Sequence, residues 1–445
     1  MALKSTIKSK LRSNLRGDFL FKVARSSFSK IEDHRAKNHS YSLTDMISSC
    51  LSIFALKSPS MLAHEGLIRR KSIQSNLIKI FNIQKIPSDT QMRTVLDEVE
   101  TSNFRECFRD ILSLTQKADL LDTFKFLGQD LILSIDGTCF FRSKDVKCSN
   151  CQVKKGKSGN EYSHSMFAAS FVHPFKKQVL TVAPEPIVKQ DGESKNDCEQ
   201  NASERLLRQF RQDFPELKVT IVADALFSKG PTVKLAKELD LNFIIGAKPK
   251  DHKYLFESFE KKKFFAFLDN RIGSKKPILE NLEIKESQKT YQFTFSNDMP
   301  LNQTHSDLKI GFIQCKELSK DSSKTFTWIT NHKIKKSNVL KLMYAARARW
   351  KIENETFNTL KKQGYNFEHN YGHGKKNLAN NMAMLMMLDF LIDQIQEICC
   401  KVFSEITGFV NRKALWDCIR SFFGSLKFDS WDDLLRAILA EYSTA

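Results

Sequence analysis

Three acidic residues stand where they could share divalent ions: Asp136, Asp224 and Glu353. Asp136 closes the apolar run 131–135 and Asp224 closes 219–223, and both runs have the make-up of buried strands. A single Asp after a strand is most often a turn or cap residue. Two of them on neighbouring strand ends would bring carboxylates together from distant parts of the chain. Carboxylates converging on two ions roughly 3.5–4 Å apart serve in-line phosphoryl transfer, stabilising both the attacking and the leaving oxygen. Hard oxygen donors of this kind suit Mg2+ or Mn2+.

The third carboxylate lies in a helical pattern over 342–362. At about 100° per residue, Leu342, Ala346, Trp350, Phe357 and Leu360 gather on one apolar face. Glu353 points into the middle of that face, with Arg349 and Lys361 at its edges, while Glu355 falls about 200° away on the polar side. A carboxylate facing a core is costly unless it is paired or bound to metal. Glu353 is therefore either a metal ligand or the partner of Arg349 in an i,i+4 ion pair.

Three segments carry a resemblance: LSIDGT, IVADALFSKG and YAARARWKIENETFNTLKKQG. Together they resemble the motifs of bacterial insertion-sequence transposases of the DDE superfamily, most closely the insertion-sequence-four family. The similarity covers roughly residues 125–395. It implies an α/β RNase H-like catalytic core with a mixed five-stranded sheet, and a β-rich insertion between the second Asp and the Glu. By position it implies that Asp136, Asp224 and Glu353 hold the catalytic metals and that Arg349 contacts DNA phosphate. Two departures stand out. Ala346 occupies the place of the family's Tyr, and Lys361, a further DNA contact, falls eight residues after Glu353 where the family has seven. Such enzymes act on double-stranded element ends and target DNA as homodimers or higher oligomers.

Other groups could do chemistry. Cys148 and Cys151 have half the spacing of a zinc site, and His164 and Cys198 could complete a structural Zn2+ set; the alternative is unbound thiols. Asp191, Glu193 and Glu199 form an acidic patch before a helix, where they complement its dipole. Lys154 to Lys157 and the His-Gly turns over 371–376 could track phosphates or lie in solvated loops. Trp328 reads as a strand core residue. No phosphate-binding loop of the G-x-x-x-x-G-K-[ST] type is present, so ATP dependence is not indicated.

The elements that must position these groups fall into five stretches. Residues 1–120 read as a basic helical DNA-binding region, with a mobile or loosely helical arm to about residue 40 and an N-cap at Ser88. Residues 125–247 alternate strands and helices as the first part of the core, with strands expected at 166–172, 179–182, 219–223 and 243–246 and helices at 199–213 and 231–239. Residues 248–332 read as a mostly β insertion, 333–398 as the catalytic and remaining core helices, and 399–445 as a helical C-terminal region. Seventy Lys plus Arg against 51 Asp plus Glu leave +19, which fits a polyanion partner. The longest apolar stretch, 382–392, is broken by Asp389 and too short to span a bilayer, so no membrane role is expected. With no export signal, ten cysteines read as reduced thiols, and the expected place is the bacterial cytoplasm in association with the nucleoid. Three functions stay open on these residues: a DNA transposase, a decayed or domesticated DNA-binding protein, and a metal-dependent nuclease that does not join strands.

Overall fold

In the computed structural model, residues 2–37, 39–157, 159–188, 197–272 and 279–443 are described; for 2–7, 71–72 and 267–272 this extends to the backbone only. Asp191 and Glu193 lie outside them.

Twelve strands form one continuous mixed sheet. They are β1 Lys125–Leu127, β2 Asp130–Ser143, β3 Gln152–Gly156, β4 Gly159–Val172, β5 Leu180–Thr181, β6 Glu185–Ile187, β7 Val219–Ala223, β8 Asn242–Gly246, β9 Glu280–Glu286, β10 Lys289–Pro300, β11 Lys309–Ser319 and β12 Ser322–Thr330. The main order is β3-β4-β2-β7-β8-β12-β11-β10-β9. Strands β2, β7 and β8 run parallel, joined by the helices Glu199–Asp213 and Gly230–Glu238, while β4 pairs with β2 antiparallel. Both parallel strands β2 and β7 are buried through their apolar runs, as parallel sheets covered on two faces require.

The sheet departs from the five strands expected, because β1, β3 and β6 add to β2 and β4 and the insertion does not fold apart from the core. Strand β12 pairs with β8 through Trp328↔Gly246 and Thr330↔Ile244, so β9–β12 continue the core sheet. Trp328 is buried in it and stacks on Phe326. The insertion also holds a 20-residue helix, Lys253–Ile272, where mostly strand was expected. Its phenylalanines blur the period: Phe259 is buried, whereas Phe264 and Phe265 are exposed.

The second layer is helical. The helix Leu378–Cys399 is buried from its first residue to Gln396 and packs on β5 and on helices from both ends of the chain. The expected arm instead forms the helices Ala2–Ser13 and Gly17–Phe28, and Leu20, Phe21, Ala24 and Phe28 of the second are buried. A Cβ on Gly17 would lie 2.2 Å from Trp431, so this helix sits directly against the C-terminal region. Ser88 caps the helix Asp89–Glu98 through a reciprocal bond with Gln91. Lys57, fully buried, reaches Asp389 at 2.6 Å and Asp393 at 2.7 Å on the long helix. Removing one partner of such a pair leaves a stranded charge and costs about 3–5 kcal/mol. The N-terminal helices, residues 378–399 and the C-terminal helices thus share one core.

Candidate active site

The register of the parallel strands brings the two aspartates together. Strand β2 pairs with β7 through Leu131↔Val219 to Ser134↔Val222. Continued by two residues, that register would set Asp136 opposite Asp224, the residue that directly follows β7. Strand β7 ends at Ala223, so β2 runs on past Asp136 without that neighbour. An opening at the carboxyl ends of parallel strands is where α/β sheets hold ligands.

Each aspartate has one oxygen fixed by backbone. Oδ1 of Asp136 accepts from the Gly137 N–H at 2.9 Å. Oδ1 of Asp224 accepts from the Leu226 N–H at 2.9 Å, capping the turn Ala225–Phe227. The cap role that a lone Asp commonly plays is therefore filled at Asp224, and its geometry orients the carboxylate.

The third carboxylate comes from the segment after β12, which is not one regular helix. The helix Val339–Arg347 ends in a turn at Ala348 and Arg349, a π-helix covers Ile352–Phe357, and an α-helix resumes at Asn358–Lys362. The interruption resets the phase expected from a uniform 100°. Leu342, Ala346, Phe357 and Leu360 are buried as expected, but Trp350 is 51% exposed and the Glu353 side chain is 47% exposed. Short residues let this segment lie close over β2 and β4. Ser134 donates to the Arg349 carbonyl at 2.8 Å, and its strand partner Ser170 lies 3.3 Å from Thr356. By strand alternation, Asp136 shares the face of Ser134 and so looks toward this segment.

Arg349 binds the group together. Its guanidinium lies 2.5 Å from Glu353 and 3.5 Å from Asp136. The i,i+4 ion pair considered from the sequence is present, and it extends to the first aspartate. Burial pushes the Asp136 carboxyl up to about 7; the Gly137 N–H and Arg349 oppose this, while the negative charges of Glu353 and Asp224 add to it. Removal from water is thus the main reason that this carboxyl resists ionisation, and the neighbouring carboxylates are a smaller addition.

Lys361 donates to the carbonyl of Cys139, three residues beyond Asp136, at 3.1 Å and pairs with Glu368 at 3.0 Å. A π-turn closes i to i+5 and takes one more residue than an α-turn. The turn at Ile352–Phe357 thus accounts for Lys361 falling eight residues after Glu353 while still reaching β2. Tyr344 turns away and donates to Glu286 at the end of β9.

One carboxylate near the site was read from the sequence only as a dipole partner. Glu199 does open the helix Glu199–Asp213, but its carboxylate also lies over Gly137, where a Cβ would approach within 2.2 Å. Burial and then the charge of Asp224 raise its pKa. Its approach depends on the absence of a side chain at Gly137.

The donor set is of the hard kind that suits divalent ions: carboxylate oxygens from the middle of β2, where a strand end was expected, from the residue after β7 and from a facing helix, partly open to solvent, each aspartate oriented through one oxygen. Asp136, Asp224 and Glu353 could hold such ions, and Glu199 stands beside them. A broad cavity lined by Arg105, Asn150, Glu185, Arg205 and Lys376 includes none of the three.

The structure also gathers Cys148, Cys151 and His164, but with His373, whereas Cys198 is exposed at the start of the helix Glu199–Asp213. Among the described residues this is the one group of three or more Cys, His, Asp or Glu compact enough to grip a single ion. Lys154, Lys155 and Lys157 are exposed around the β3–β4 turn.

A family model described as a transposase DDE domain matches residues 128–390, more than half of the 445-residue chain and a span containing Asp136, Asp224 and Glu353. No curated protein matches the chain. One solved structure, the cryo-EM structure of the piggyBac transposase synaptic complex with hairpin DNA, aligns with 98% of this chain and 81% of its own at 13% identity, with a TM-score of 0.39. A likeness that distant carries no argument about function. No helix among the described residues is long and apolar enough to cross a membrane.

Proposed function

The chain belongs to the family of transposases with a DDE domain, and from that premise we propose that it cuts the ends of an insertion sequence and joins them to target DNA. The element is of the bacterial insertion-sequence-four kind, on the three motifs and the β-rich insertion at β9–β12. Asp136, Asp224 and Glu353 would hold two Mg2+ or Mn2+ ions, which supply charge neutralisation at the reacting phosphate and a more acidic water or 3′-hydroxyl nucleophile. The observation that carries this reading is the register of β2 and β7, which continued by two residues would set Asp136 opposite Asp224, together with Arg349, which ties Glu353 to Asp136.

The chain's own residues have distinct tasks in this scheme. The Gly137 and Leu226 N–H groups orient the two aspartates. Arg349 keeps Glu353 beside Asp136 and offers a guanidinium that can fork onto phosphate oxygens. Lys361, held on β2, adds a second cation on the strand that carries Asp136. The charge of +19 supports long-range attraction to duplex DNA, and a homodimer or higher oligomer would bring two element ends together.

The test uses purified full-length protein, Mg2+, and DNA from either side of the gene, with a supercoiled plasmid as target. Cleavage at a repeat end followed by plasmid insertion, both lost in Glu353→Gln while DNA binding persists, is the expected result. Cleavage without insertion would make the protein a nuclease. Binding without cleavage by the wild type would make it a non-catalytic DNA-binding protein.

A further inference from the structure

We propose that Cys148, Cys151, His164 and His373 form a tetrahedral zinc site that clasps the loop after β2 to the segment following the catalytic helix. The site lies outside the carboxylate group and is independent of the transposase reading.

The distances carry the proposal. The two sulfurs are 3.7 Å apart, Cys148 and Cys151 lie 3.3 and 3.4 Å from Nε2 of His164, and Cys151 lies 3.4 Å from Nε2 of His373. Tetrahedral zinc with bonds of about 2.3 Å to sulfur and 2.0 Å to nitrogen requires about 3.8 Å between sulfurs and 3.5 Å between sulfur and nitrogen. All four ligand atoms lie within 4.8 Å of one another. A disulfide would instead need its sulfurs at about 2.05 Å. Two soft sulfurs and two imidazoles are a donor set for zinc rather than for magnesium.

The surroundings are those of a closed structural site. Cys151, His164 and His373 are buried, and Phe140 and Phe141 cover the imidazoles, with ring centroids 5.8 Å from His164 and 4.5 Å from His373. His373 sits between Gly372 at φ 152° and Gly374 at φ 67°. A Cβ on Gly374 would lie 2.2 Å from Asp97, so both the backbone and the space demand glycine there. The two loops already meet by hydrogen bonds: Ser149 N–H and Oγ donate to the Lys375 carbonyl at 3.1 and 3.0 Å, and Asn150 donates to the Lys376 carbonyl at 3.0 Å. A metal would lock together segments 222 residues apart in the chain.

Metal analysis of full-length protein purified under reducing conditions without chelator tests this. The expected content is about one zinc per chain, falling below about a tenth in Cys151→Ser and His373→Ala and unchanged in Cys198→Ser. Co2+ taken up in place of zinc should show the intense visible absorption of a tetrahedral thiolate site. Should the variants fail to fold, chelation of the wild type replaces them, with a lowered melting temperature that Zn2+ restores as the expected result. Wild type that neither contains zinc nor takes up Zn2+ or Co2+ overturns the proposal, as does a Cys148–Cys151 disulfide in the freshly reduced protein. Zinc lost equally from Cys198→Ser overturns the ligand set.

Discussion

Two clusters share strand β2, and they are built for opposite ends. The carboxylate group uses β2 at Asp136 and is completed by Glu353 from beyond β12; the Cys/His group uses the loop after β2 and His164 on β4 and is completed by His373. In the first, the donors are charged and hard, and the Glu353 side chain is about half exposed. In the second, the donors are soft, three of the four residues are buried and aromatic rings close over them. An open set of carboxylates leaves room for phosphate and exchangeable ions, while a closed set of thiols and imidazoles has every position filled by protein. On the two proposals made above, the first cluster serves chemistry and the second cohesion.

The largest expected effect separates the two. Asp136→Asn and Asp224→Asn should each lower Mg2+-dependent DNA cleavage by about a thousandfold, some 4 kcal/mol of barrier, without lowering the melting temperature. Glu355→Gln should change the rate by no more than roughly twofold, as a substitution away from the site does. Equal losses in Glu353→Gln and Glu355→Gln would mean that the π-turn presents both glutamates to the metals. Because the N-terminal helices share a core with the C-terminal ones, DNA affinity is better probed by charge-reversing point variants than by removing residues 1–120.

A middle-sized effect sharpens the contrast through pH. The Asp136 carboxyl titrates at about 7 in the folded chain and near 3.8 when unfolded, so it favours the folded state fully below pH 3.8 and that contribution is lost as pH rises through 7. Without divalent ions, Asp136→Asn should therefore be more stable than wild type at pH 8, on the order of 1–3 kcal/mol, with the gap closing toward pH 4. Mg2+ should stabilise the wild type more at pH 8 than at pH 5.5 and leave the variant almost unmoved. Denaturation curves with no such crossover would mean that burial does not hold the Asp136 carboxyl up.

The smallest effect gives the Cys/His cluster a control. His64 is also a buried histidine, but its ring nitrogens lie against the hydroxyls of Ser58 and Ser52, and burial lowers its pKa to about 3. Its neutral form supports folding fully above pH 6.5, and that support declines as pH falls toward 3. Between pH 7 and pH 5 this one group should cost about 2 kcal/mol of stability, a slope that His64→Gln removes.

The sequence by itself determined the parts whose information is local. Runs such as 219–223 ending in Asp, the helix Glu199–Asp213 and the Ser88 cap follow from side-chain period and capping chemistry, and the motifs around Asp136, Asp224 and Glu353 carried the family. Only the tertiary structure decided the rest. It joined the insertion to the core sheet through β8 and β12, a pairing no local pattern encodes. It packed the second helix of the basic arm on both ends of the chain, with Phe21 against Trp431 and Phe28 against Phe104. It exposed Trp350 because a π-turn, one hydrogen-bond register wider than an α-turn, broke the uniform phase. And it put His373 where Cys198 was expected, since metal-ligand spacing is readable only when the ligands are neighbours in sequence, and here 222 residues of folded chain separate Cys151 from His373.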